Sequence, residues 1–122
     1  MSRILPKVNV ECPEKVEYLF HYSWEDEPVA SHFDDKEIVA EILDRIDDDD
    51  MFAWFTVSAI AVWGHIESDP PVYLGGCSYK DEADFLASDC AEDLRREARD
   101  VLLETMAIHR QLTNHFILRE QE

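Results

Sequence analysis

The sequence predicts an α+β protein: a two-layer domain with an antiparallel sheet of three or four strands and two helices, in the order β-α-β-β-α. Three observations carry that prediction. Apolar residues alternate with period two around residue 20, recur at helical spacing after residues 34 and 89, and run almost unbroken from 51 to 63. Period two marks a half-buried strand, period 3.6 a helix with one apolar face, and a continuous apolar run a buried strand or helix. Strands with neighbouring helices give a two-layer arrangement. At 122 residues the chain is expected to be a single domain spanning 1–122.

The elements follow in order. Val8, Val10 and Cys12 alternate as a short edge strand would, and Pro13 interrupts them. Val16, Tyr18, Phe20, Tyr22 and Trp24 then share one face of a strand, with Glu17, His21, Ser23 and Glu25 on the other. "EDEPVASHF" breaks the strand. In "DDKEIVAEILDRID" the row Ile38, Ile42, Ile46, flanked by Val39 and Leu43, forms an apolar stripe, and Asp34 with Glu37 reads as a capping box. Asp47–Asp50 place four anions at the negative end of that helix, which should stop there. "MFAWFTVSAIAVWG" reads as a central strand covered on both faces. "HIESDPP" is a turn, and "VYLGGCSY" returns as a strand whose glycines mark a bulge or a close backbone approach. The last helix runs from about Asp89 to Leu112. Its seam is Leu94, Ala98, Val101, Thr105, Ile108 and Leu112, with Glu92–Arg96 and Arg96–Asp100 as surface pairs.

Composition narrows the function classes. Hydrophobic residues make up 46% of the chain, enough for a packed core in spite of its charge. No apolar run is long enough to span a bilayer, and the first residues lack the apolar stretch of a secretory signal. Three widely spaced cysteines without a C-x-x-C pair suit free thiols in a cytoplasm. Twenty-eight acids against eleven Lys and Arg give a formal net charge of −17. A field of that sign repels nucleic-acid phosphate and anionic membranes, so the expected partners are basic protein surfaces.

No motif outweighs this field. Cys77 as a nucleophile would need a base and a lowered pKa, whereas nearby anions raise it; a packed core thiol is the better explanation. Gly75–Gly76 does not open onto a helix as a phosphate cradle would. "DRIDDDD" lacks the glycine and spacing of a calcium loop, and no zinc pattern occurs, so no metal or cofactor is expected. Paired carboxylates are uninformative in so acidic a chain. The acids themselves are unevenly placed: twelve against two bases between Glu25 and Asp50, and eight against one between Glu67 and Asp93. Gathered on one rim, such carboxylates can imitate a phosphate backbone; spread over the surface, they serve solubility or salt tolerance.

The pieces "MFAWFTVSAIAVWG" and "YLGGCSYKDEADF" resemble a family of uncharacterised small acidic proteins carried by bacteriophages, plasmids and other mobile elements. Its pattern is similar to Trp-Ala-Trp before an apolar strand, then Tyr-Leu-Gly-Gly-Cys-Ser-Tyr and acid-x-Asp-Phe. Here Phe52 replaces the first tryptophan of Phe52-Ala53-Trp54, while Tyr73–Tyr79 and Glu82, Asp84, Phe85 match more fully. A Tyr-Tyr-x-Asp-Met run of that family is replaced by "ASDCAEDL". The resemblance implies no catalytic residue. It implies a non-catalytic cytoplasmic inhibitor of host defence, of anti-restriction or anti-CRISPR type, acting on the basic surface of a host protein or nucleoprotein effector complex. The expected contact residues are Glu25, Asp26, Glu27, Asp34, Asp35, Asp47, Asp48, Asp49, Asp50, Asp81, Glu82 and Asp84. A structural or regulatory homodimer, and an enzyme using Cys77 or a carboxylate pair, are the alternative readings.

Overall fold

The computed structural model describes residues 15–120, with side chains described through Arg110. Within that span the fold is α+β. Its strands are β1 (Glu17–Trp24), β2 (Phe55–Trp63), β3 (Ile66–Glu67) and β4 (Val72–Cys77); its helices are α1 (Lys36–Asp47), α2 (Glu82–Leu86) and α3 (Asp89–Glu120). The expected strand around Val8–Cys12 and the seam position Leu112 lie outside the residues and side chains so described.

β2 is the centre of an antiparallel sheet, with β1 along one edge and β3 then β4 along the other. Between β3 and β4, Ser68 replaces the ladder with its own atoms. Its backbone N–H donates to the Ala61 carbonyl, and its hydroxyl accepts from the Ala61 N–H, both at 2.9 Å. The segment expected to be only a turn thus contains a two-residue strand.

The core lies on one face of the sheet. Phe55, Val57, Ala59 and Ala61 of β2 are buried beneath Phe85 of α2 and Ala91, Leu94, Ala98, Leu102 and Met106 of α3. Tyr22 packs edge-on against Phe52, Phe55 and Phe85, at ring separations of 5.0, 5.7 and 5.9 Å. The α3 seam therefore runs through Leu102 and Met106; Ile108 is exposed. Val101 and Thr105 are half-buried flanks, because a straight helix presents a stripe that drifts around its axis. Among the described residues the ion pairs on α3 are Glu92–Arg95 and Asp93–Arg96, spaced three residues apart and not the expected four.

Two further expectations change. β2 alternates between buried and half-buried residues, so its second face is not covered as the first is; Thr56, Ser58, Ile60 and Val62 line that outer face. An apolar run reads alike in either case. Met51–Ala53 is a 3-10 turn and not strand, capped by Asp50, whose Oδ1 accepts from the Phe52 N–H at 3.1 Å. Trp54 follows it into a second, smaller core with Val29, Ala53 and Ile42. Helix α1 packs there, against the 3-10 turns Val29–Ser31 and Met51–Ala53, beyond the end of the sheet. Its N-cap is Asp35, not Asp34: the Asp35 carboxylate accepts from the Glu37 N–H at 2.9 Å.

Candidate functional site: an acidic end of the sheet

Antiparallel pairing brings distant acids together. Trp24, Phe55 and Cys77 are aligned across the sheet, so β1 ends, β2 begins and β4 ends on the same side. From that side emerge Glu25–Glu27, the turn Asp47–Asp50 that precedes β2, and Asp81–Asp84. Arg45 ties the last two together. Its Nε donates to Asp50 Oδ2 at 2.8 Å, and its Nη2 donates to the Tyr79 carbonyl at 2.5 Å and the Lys80 carbonyl at 3.3 Å. A guanidinium suits this role because its planar fork reaches a carboxylate and backbone carbonyls at once.

The twelve expected contact residues divide by what their side chains already do. Glu25 is engaged on both oxygens: Oε1 accepts from the Gly76 N–H at 2.8 Å, and Oε2 accepts from the Thr56 hydroxyl at 2.6 Å. It holds the bulge of β4, where one extra residue stands opposite β2. This explains the two glycines. A β-carbon at Gly75 would lie 2.9 Å from Glu25 Oε1, and Gly76 has φ +66. Asp35 and Asp50 cap α1 and the following turn, and Asp81 caps α2 by accepting from the Asp84 N–H at 2.8 Å. Asp84 accepts from the Lys80 N–H at 3.1 Å. Glu27 pairs with His32 at 2.7 Å, and its carbonyl accepts from Trp54 Nε1 at 2.7 Å.

The remainder are otherwise disposed. Asp26, Asp34, Asp47, Asp48 and Asp49 are exposed, and their side chains make no hydrogen bond or ion pair among the described residues. Glu82 is exposed and faces Tyr22. The Tyr22 hydroxyl is sealed from solvent with no hydrogen-bond partner at bonding distance among the described residues. Burial first, and then the Glu82 carboxylate, push its pKa upward.

Cys77 is buried, and its Sγ lies 3.7 Å from the Leu74 carbonyl oxygen. Burial, then Cys90 and Glu25, push the thiol up to about 11, away from the thiolate that a nucleophile requires. It borders a shallow cavity of about 210 Å³ with Cys90 and Tyr79, whose lining holds no histidine and no carboxylate. Among the described residues, no group of three or more His, Cys, Asp and Glu could hold a metal, and no helix is long and apolar enough to cross a membrane.

Arg45 and His32 also organise this end, although neither stands among the expected contact residues. The signal for Arg45 was present, since it is the one Lys or Arg between Lys36 and Lys80, set among acids. His32 carried none: its position against Trp54 and Gly76 arises from the 3-10 turn before it. Comparison of the chain with protein-family models, curated proteins and solved structures gives no match.

Proposed function

We propose that this protein is a non-catalytic acidic binding protein of phage or mobile-element type. It inhibits a host nucleic-acid-handling defence complex, of CRISPR or restriction type, by presenting carboxylates to a basic groove. One observation carries the reading. Asp47, Asp48 and Asp49 close α1 at its negative end, where anions are unfavourable. Their side chains make no hydrogen bond or ion pair among the described residues, and the one basic residue of the last turn, Arg45, is taken up by Asp50, so this crowding of anions points to a role outside the fold. With Asp26 and Glu82 they form the outward-facing part of the acidic end, and Asp34 adds an exposed carboxylate at the start of α1. Glu25, Asp50, Asp81 and Asp84 shape that end through their own hydrogen bonds, Glu27 does so through His32, and Asp35 caps α1.

Each outward carboxylate would meet Lys or Arg in a charge-assisted hydrogen bond, stronger where water is excluded. The test is competition with duplex DNA for purified CRISPR effector and restriction complexes over a salt series. Displacement that weakens steeply with salt, and that falls when Asp47, Asp48 and Asp49 are changed together to Asn, supports the reading. Salt-insensitive binding, or no binding to any basic complex, removes it.

A homodimer is the second reading. It is favoured by the outer face of the sheet, where Leu19 is 53% and Tyr73 68% exposed. A dimeric mass in solution that becomes monomeric with Leu19→Lys supports it, and a monomer at all concentrations removes it.

A further inference from the structure

The apolar stripe of α1 is wider than the fold covers. Ile42 is buried at its centre, while Ile38 on one flank is 41% and Leu43 on the other 47% exposed. On the Leu43 side lies an open groove of about 400 Å³ between α1 and the preceding segment. Its apolar lining is Ala30, Phe33, Val39, Ala40 and Leu43. Asp34 and Lys36 complete it. Asp44 and Asp47 stand one turn beyond Ala40 and Leu43, which places two more carboxylates beside its C-terminal end. The exposed Asp48 and Asp49 follow directly.

We propose that this groove receives an apolar anchor residue from a Lys- or Arg-rich segment of the partner; this rests on the functional reading above. Charge selects the occupant. A second copy of the chain would bring another net charge of −17 towards the same carboxylates, and a nucleic acid would bring phosphates. A basic segment meets Asp34, Asp44 and Asp47 favourably, with the Lys36 ammonium as the opposing charge. The groove supplies what charge alone does not. A side chain seated against Phe33, Val39 and Leu43 is shielded from water, and anchors of this kind carry most of the affinity of an interface. The surrounding carboxylates steer the approach and set its register.

The experiment uses two synthetic peptides rich in Lys and Arg, identical except that one has a central Trp and the other Ser. Binding is measured by calorimetry, with amide shifts of the 15N-labelled protein. The Trp peptide is expected to bind about tenfold more tightly, and to shift the resonances of Phe33, Ala40 and Leu43. Ala40 is exposed on α1, so Ala40→Trp fills the groove from a surface position; it should abolish the tenfold preference and leave the Ser peptide's affinity unchanged. Should Ala40→Trp fail to fold, Leu43→Ser reads the same loss. Equal affinities for the two peptides overturn the groove and leave the charge reading standing, whereas no binding of either at low salt removes both. Self-association that Ala40→Trp abolishes would assign the groove to a second copy and overturn the proposal.

Discussion

The sheet and α3 enclose the larger apolar core between them, whereas the α1 end gathers only a small core and leaves both flanks of its stripe, Ile38 and Leu43, in water. The larger core joins Phe55, Val57, Phe85, Leu94 and Leu102 in one interior, and the smaller gathers Val29, Ile42, Ala53 and Trp54. The charges differ in place. On α3 Glu92 and Asp93 pair with arginines along the helix, whereas Asp47, Asp48 and Asp49 crowd the negative end of α1 with no ion pair among the described residues. One region is organised to be stable. The other combines a small core with unfavourable charge at the end of its helix, which is the expected signature of a contact surface.

The comparison can be broken at its strongest point first. Phe85→Ala removes a fully buried ring that touches Phe20, Tyr22, Phe55 and Tyr79, and should cost about 3–5 kcal/mol in urea unfolding. If it costs no more than Ile42→Ala in the smaller core, the two regions are equally important to stability and the contrast fails.

Glu25→Ala comes next. It leaves the Gly76 N–H and the Thr56 hydroxyl without their acceptor, at about 1–3 kcal/mol. Amide hydrogen exchange should quicken at Gly76 more than in α3; a uniform change would mean that Glu25 acts on the whole fold and not on the bulge.

The smallest effect has the opposite sign. Asp47→Asn, Asp48→Asn and Asp49→Asn together should leave stability unchanged or raise it by about 0.3–1 kcal/mol, because anions leave the negative end of α1. A loss of stability in thermal unfolding would show that these carboxylates serve the fold.

How much of this was legible in the sequence depends on the range of the interaction. β1, α1, β2 and α3 were readable because period two and period 3.6 are local patterns. The start of β2 was not, because Asp50 diverts the chain into a 3-10 turn and Trp54 belongs to a different core from Phe55 beside it. The gathering of acids at one end of the sheet was expected only as one of two arrangements, and it needed the register of three strands to be decided. The division between Glu25 and Asp26 could not be read at all. Both are acids at the end of a strand, and what separates them is a hydrogen bond to a residue fifty-one positions away. Cys77 was readable as a core thiol because its type and its place in an apolar strand agree.

That thiol also gives the larger region a dependence on pH. Folded Cys77 holds its proton up to about 11, whereas an ordinary thiol releases it near 9.0. The unfolded chain therefore loses the proton first, and stability should fall as pH rises through that interval and level off above it. Tyr22, also pushed upward, acts in the same direction at higher pH. Cys77→Ala should flatten the thiol part of the curve in urea titrations across this range; an unchanged curve would place its cause elsewhere.

The carboxylate of Glu25 occupies the space that a β-carbon at position 75 would need. Positions 25 and 75 thus compete for one volume, although fifty residues separate them. In any diverging lineage of this fold a side chain can enter at 75 only if residue 25 shortens or turns away, and the anchor of the β4 bulge leaves with it. A substitution at 75 is therefore expected to be felt first in the hydrogen bond between Glu25 and the Gly76 N–H, and only through it in the bulge.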